Sequence, residues 1–214
     1  MNAKERRRNE AEQRLLDAAA ELIGEIGPAA VTLANIGERA GYSRGLATHH
    51  FGSKGAMMQR LVDNVTDEFN LAIFVERPKG SAADELQALM DAYFQTLREL
   101  KPVNRARLVL WANAITTPSP DVRPAMIAAD REFREALVDG INRGIAAGEY
   151  SSNVDPAGLA TVVIAMLRGV ALEALLEDEV ELDACRAEIE ALLNARLRHS
   201  AKDLPTQHRK AERS

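Results

Sequence analysis

Residues 31–54 read VTLANIGERAGYSRGLATHHFGSK, and no other stretch limits the possible folds so tightly. Val31 and Ile36 flank Thr32 as a hydrophobic staple flanks an N-cap, which predicts a helix over 33–40. Gly41 follows the last apolar position and can take the left-handed conformation that ends a helix. Ser43 is the expected cap of a second short helix running toward His49, and Phe51-Gly52-Ser53 stops it. Ser53 is then placed to cap a third helix opening at Lys54. Two short helices about a glycine turn form a helix-turn-helix, a unit whose second helix enters the major groove of DNA.

The rest of the chain supplies helices to pack around that unit. Aromatic residues are only 4% of the 214, while Ala and Leu dominate the long segments. No period-two run of β-branched or aromatic residues is long enough for a strand. Ahead of the unit, Leu15, Ala18, Leu22, Ile23 and Ile26 form one helical stripe that Gly27-Pro28 ends. After it, 54–75 reads as a long helix with Met57, Leu61, Val65, Phe69 and Ile73 in its apolar set, a natural lever between two bodies. Ser81, Ser119 with Pro120, and Asp155 with Pro156 predict three later helix starts. The expected architecture is all-α with nine helices. Three belong to an N-terminal helix-turn-helix domain over 10–54 and six to a ligand-binding and dimerisation body over 55–198. A flexible basic arm over 1–9 and a disordered tail over 199–214 complete it.

Charge and cysteine content narrow the setting. The net charge is −5, but residues 1–54 hold 8 Lys/Arg against 7 Asp/Glu, so the acidic excess lies in the body. A near-neutral reader still binds DNA if its basic groups line one face. The single cysteine, Cys185, excludes an internal disulfide, fits a reducing cytoplasm, and is expected as a buried structural thiol. No stretch of about 18 residues reads as apolar enough to span a membrane, and the N-terminus is charged rather than signal-like, so a soluble cytoplasmic protein is expected. Gly-x-Ser-x-Gly, His-Glu-x-x-His and phosphate-loop motifs are missing, which argues against an enzyme and calls for no cofactor.

The reader stretch resembles the tetracycline-repressor (TetR) family of transcriptional regulators. The likeness rests on Val31-Thr32-Leu33 through Ile36, Ala40-Gly41, Ser43-Arg44-Gly45-Leu46, His49-His50-Phe51 and Ser53-Lys54. Residues 143–149, Asp155-Pro156 and Leu167-Arg168-Gly169 resemble the C-terminal domain of its betaine-regulator (BetI) type. The family usually carries a tyrosine where this chain has Thr48, an aromatic where it has His50, and an acidic residue where it has Arg168.

That resemblance implies DNA contacts from Thr32, Ser43, Arg44, Gly45, Thr48, His49 and Lys54. Arg44 has the donors to read guanine, Gly45 lets the helix approach the groove, and the helix start at Lys54 suits a phosphate. Adjacent histidines diverge by about 100° on a helix, so His49 and His50 make a poor metal site and none is expected. In the body, Tyr93, Phe94, Trp111, Asn113, Met126, Phe133 and Met166 are the candidate lining of an effector cavity, since the family binds effectors between these helices. Arg105 and Arg107 have the charge for an anionic ligand, although such residues near a helix start are ordinarily solvated. The implied function is a homodimeric repressor, joined through its last two helices and released from palindromic double-stranded DNA by a small molecule. An activator or dual regulator of the same architecture and a nonspecific architectural DNA-binding protein are the alternatives.

Overall fold

The computed structural model describes residues 2–74, 80–117, 119–177 and 179–198. Among them are nine helices: α1 Ala3–Ala30, α2 Leu33–Arg39, α3 Leu46–Phe51, α4 Lys54–Phe74, α5 Ala82–Glu99, α6 Pro102–Thr116, α7 Arg123–Ala146, α8 Pro156–Leu176 and α9 Leu182–Leu197. The described residues contain no strand.

The first helix differs from expectation at both ends. Residues 3–9, expected as a flexible arm, are helical, because Asn2 and Glu5 form a reciprocal capping box with both bonds at 2.8 Å. Lys, Arg, Glu and Ala are good helix formers, so the charged run needs only that start. At the other end Gly27 is left-handed (φ 75°) and kinks the chain, after which Pro28 opens one more turn to Ala30. Ile26, expected in the buried stripe, is exposed. The expected tail after 198 lies outside the described residues.

Two apolar cores result. The first joins Leu15, Ala19 and Ile23 of α1, Ile36 of α2, Ala47 of α3, and Met57 and Leu61 of α4. It also takes in Ala106, Leu110 and Ala114 of α6 and Met126 of α7. The second lies in the body and includes Phe69, Tyr93, Phe94, Phe133, Leu137, Val163, Leu167 and Leu193. Cys185 is half-buried against this second core rather than enclosed by it.

Later helix starts follow local chemistry. Ser81 and Asp84 make a capping box, and the Asp155 carboxylate accepts from the Gly158 amide at 3.1 Å with Pro156 in the first turn. Ser119 does not cap α7. Its hydroxyl accepts from the Asp121 amide two residues on, at 3.2 Å, and the helix begins at Arg123. One sequence expectation fails outright: α8 is long and apolar enough, by length and composition, to cross a membrane. Its inner face (Ala160, Val163, Ile164, Leu167 and Ala171) is buried in the body core, while Arg168 interrupts the apolar run. The apolar content that makes it resemble a span is therefore partly core.

A buried glycine, Gly37, sets the closeness of the reader helices. A Cβ there would stand 2.7 Å from the Ser43 carbonyl oxygen, a backbone atom that cannot swing aside. Gly37→Ala is expected to lower stability by about 1–3 kcal/mol through overpacking, read as a lower urea midpoint at unchanged slope.

Candidate nucleic-acid interface and effector cavity

The reader is assembled by backbone chemistry on either side of Gly41. Thr32 caps α2: its hydroxyl accepts from the Asn35 amide at 3.2 Å, and the Asn35 side chain accepts from the Thr32 amide at 2.8 Å. Val31 and Ile36, the two halves of the expected staple, are fully buried. At the far end Gly41 is left-handed (φ 77°). The Tyr42 amide donates to the Gly37 carbonyl at 2.8 Å and the Gly41 amide to Glu38 at 3.1 Å, which is a Schellman closure. Arg39 ties α2 to α1 through two 2.8 Å bonds to Glu25 and one of 3.2 Å to Glu21. The hydrogen bond from Arg39, together with its charge, holds the Glu25 carboxyl below its usual range against the opposing effect of desolvation.

The recognition helix begins later than Ser43 would set it. α3 starts at Leu46 with Gly45 at the N-cap and no side-chain cap bond. Ser43 instead accepts the Leu46 amide through its backbone carbonyl at 3.0 Å, so Ser43, Arg44 and Gly45 form the turn that leads into the helix. Arg44 is 77% exposed and pairs with Glu38. A Cβ on Gly45 would meet nothing within 4 Å. Thr32, Thr48 and His49 are exposed, whereas His50 is half-buried with its ring 6.2 Å from that of Phe51. Ser53 caps α4 by accepting the Ala56 amide at 3.1 Å. Lys54 is half-buried, and its ammonium donates to the Ala29 carbonyl at 3.0 Å, which fastens the start of α4 to the end of α1.

The body holds a narrow, partly open cavity of about 30 Å³ between α4, α6, α7 and α8. Phe69, Arg107, Trp111, Met126, Asp130, Phe133 and Arg168 are in its wall. The Phe69 ring meets Phe133 edge-on at 5.6 Å and Tyr93 at 6.0 Å. The Arg107 guanidinium lies 3.7 Å from the centre of the Phe69 ring, and its Nε is buried with no hydrogen-bond partner. The Arg168 guanidinium stands 4.1 Å from the centre of Trp111 and pairs with Asp130, which also accepts from Arg134 at 3.0 Å. Burial works to raise the Asp130 carboxyl, but the bonds and charges of Arg168 and Arg134 outweigh it and hold the group below the ordinary aspartate range.

The chain that carries these two candidate sites matches known families along most of its length. A family model described as bacterial regulatory proteins, tetR family, matches residues 15–61. One described as BetI-type transcriptional repressor, C-terminal, matches residues 82–198, more than half of the chain. The chain belongs to the tetR family. Curated relatives include the HTH-type transcriptional regulator BetI of Escherichia coli, 31% identical over 109 residues, or 50% of this chain and 56% of the relative. The chain thus spans about half the length of the curated relatives it matches. Among solved structures, a TetR transcriptional regulator from Chloroflexus aurantiacus has a TM-score of 0.79 at 22% identity, covering 91% of this chain and 100% of that one. A transcriptional regulator from Saccharomonospora viridis in complex with choline has a TM-score of 0.77 at 22% identity, covering 90% and 100%. The family is described as one of bacterial regulatory proteins, and the matched curated relatives are named as transcriptional regulators.

Within this tetR-family body the sequence-derived lining residues separate. Trp111, Met126 and Phe133 stand in the cavity wall. Tyr93 lies behind it, its hydroxyl donating to the Leu167 carbonyl at 3.2 Å. Phe94 is fully enclosed in the body core, Met166 packs against that core, and Asn113 lies outside the cavity. Phe69, Asp130 and Arg168 line the cavity without having been singled out for it. Arg107 carried the right charge in the sequence, but only the fold reveals that it is half-buried with its Nε enclosed.

Asp130 makes a direct test of the cavity wall. Its folded pKa is depressed, so its stabilisation is complete above the unfolded value of about 3.9 and is lost as pH falls through the folded value. Asp130→Asn is expected to cost about 1–3 kcal/mol at neutral pH. In urea titrations at a series of pH values, the variant should lose stability less steeply than the parent below about pH 4.

Proposed function

We propose that the chain is a homodimeric repressor that binds a palindromic operator and leaves it when a small molecule enters the cavity between α4, α6, α7 and α8. The observation that supports this reading best is that two helices serve both sites. α4 carries Met57 and Leu61 in the reader core and Phe69 at the cavity. α6 carries Leu110 and Ala114 in the reader core and Arg107 and Trp111 at the cavity. The cavity is narrow, about 30 Å³, so an effector that fills it presses on α4 and α6, and a displacement of either helix carries the reader with it. A lever through α4 alone is thereby extended to a pair, since Arg105 of α6 also donates to the Gly24 carbonyl of α1 at 3.1 Å.

The DNA contacts assigned to the reader are base contact by Arg44, backbone contact by Thr32, Ser43, Thr48 and His49, and close approach at Gly45. Exposed ion pairs contribute at most about 1 kcal/mol, so Arg44 can exchange Glu38 for a guanine edge at small cost. Lys54 acts at the same surface through the start of α4 as well as by holding Ala29.

The dimer contact is assigned to α8 and α9, where Val162, Leu176 and Leu192 are 51%, 78% and 58% exposed in the single chain. On α8 the exposed Ala165 and Gly169 lie along the same outward side as Val162 and Leu176, and small residues let two helices approach closely. A second copy packed there would set two recognition helices on half-sites about 34–36 Å apart or a multiple of that. Operator binding places the protein in the cytoplasm.

Selection of bound sequences from random duplex DNA tests the reading, with a palindrome expected and no enrichment overturning it. On the selected site, Arg44→Ala is expected to lose about 1–3 kcal/mol and relax preference at one base pair per half-site. Val162→Asp combined with Leu192→Asp is expected to sediment as a monomer and to lose most operator affinity, because only one reader then binds at a time.

A further inference from the structure

We propose that the effector is an apolar monocarboxylic acid whose carboxylate is received by Arg107, and that the cavity rejects quaternary ammonium compounds. This rests on the reading of the α4–α6–α7–α8 cavity as the effector site. Four observations carry it.

The first is an unpaired charge. The Nε of Arg107 is fully buried without a hydrogen-bond partner, and among the described residues no carboxylate lies within ion-pair distance of the guanidinium. Burying a guanidinium nitrogen without an acceptor is costly, and native structures normally provide one. Burial presses Arg107 toward its neutral form, and the nearby Arg168 adds to this while Tyr93 opposes it. Arginine nonetheless keeps its proton. The Tyr93 hydroxyl gives the guanidinium a neutral hydrogen-bond partner inside the fold, and the countercharge is left for a ligand to bring.

The second is the charge balance of the wall, where Arg107 and Arg168 face a single carboxylate, Asp130. Asp130 is already claimed by Arg168 and Arg134. One positive charge is left over, which suits a monoanion better than a dianion such as a phosphate monoester. A planar carboxylate also matches the guanidinium fork in two parallel bonds.

The third concerns the aromatic rings. A quaternary ammonium is recognised by open aromatic faces and a wall of neutral or negative charge. Here one face of Phe69 and one face of Trp111 are each covered by the protein's own guanidinium, at 3.7 and 4.1 Å. The wall repels a second cation.

The fourth is the rest of the lining. Met126, Ala129 and Phe133 beside those rings offer apolar contact to the remainder of the ligand, and Thr66 and Asn70 add two neutral polar groups from α4. Arg168, Asp130, Trp111 and Met126 are shared with a neighbouring open cleft of about 410 Å³, so an acid anchored at Arg107 has room to extend once the Arg168 side chain turns aside.

The test uses the full-length protein and its only tryptophan, Trp111, as reporter. Hexanoate, octanoate, benzoate and phenylacetate are titrated beside hexanol, choline and hexyltrimethylammonium. At least one acid is expected to change the Trp111 emission saturably, with no response to hexanol or either ammonium at tenfold higher concentration. Arg107→Met should weaken that acid at least tenfold, Arg107→Lys should recover part of the loss, and unliganded Arg107→Met should melt no lower than the parent by circular dichroism. A purely structural arginine would give the opposite melting result.

Silence to all four acids overturns the proposal, as does saturation by an ammonium compound, an equal response to hexanol, or an unchanged acid midpoint in Arg107→Met. Failure of Arg107→Met to fold also overturns it. The operator selection above is scored without any of these probes. A palindrome with a failed acid panel removes the acid and leaves the repressor reading, and an acid response without a palindrome does the reverse.

Discussion

The reader has no core of its own, and the rest of the molecule depends on that. α2 and α3 have seven and six residues, lengths at which an isolated helix does not form in water. They are held by burying Ile36 and Ala47 in a cluster that α1 alone cannot close. α6 closes it with Ala106, Leu110 and Ala114, and the turn leading into α7 adds Val122. The bond from Arg105 to the Gly24 carbonyl fixes the depth at which α6 seats on α1, since a Cβ on Gly24 would come within 3.1 Å of the Arg105 side chain. The proposed DNA-reading surface and the proposed effector cavity thus share helices, drawing on successive parts of α4 and on residues interleaved along α6. Close-packed cores of this kind shift between discrete arrangements rather than deforming smoothly.

Much of this was legible in the sequence wherever a side chain acts on its immediate neighbours. Thr32, Ser53, Ser81 and Asp155 each cap a helix because an unpaired amide stands three residues on. Ser43 and Ser119 look identical by type and spacing, yet neither caps. Ser43 uses its carbonyl in a turn, and Ser119 bonds two residues ahead, a competing local closure open to any serine. The shift moves Arg44 out of the first turn of α3 and into the loop before it. The helical start of α1 was also readable, from Asn2 and Glu5 at capping-box spacing, but the run of charge around them suggested a solvated arm instead.

Apolar periodicity was informative about which residues are buried and less so about what buries them. The expected inward set of α4 is buried throughout, from Met57 to Ile73. Ile26, Ile115 and Ile127 fit helical stripes equally well and are exposed. α8 shows why the distinction matters. Its inner face fills the body core while Val162 and Leu176 point outward, so the composition that resembles a membrane span is part core and part exposed apolar surface. That exposed side is the one assigned to the proposed dimer contact.

The cavity was the least legible part, because its character comes from charges that meet only in three dimensions. Trp111, Met126 and Phe133 could be nominated as apolar residues on adjacent helices. Nothing local distinguishes Arg107 from Arg105, two residues earlier on the same helix. Arg105 is exposed and bonded to α1, whereas the Nε of Arg107 is buried under the Phe69 ring. The arrangement on the opposite wall shows what a satisfied arginine looks like in this body: Arg168 stacks on Trp111 and also holds Asp130. Arg107 has the ring without the carboxylate. Replacing an unmatched buried charge with an apolar side chain of similar length commonly stabilises a fold. Keeping one sacrifices stability in the empty protein, a sacrifice typical of binding sites, where the missing partner arrives with the ligand.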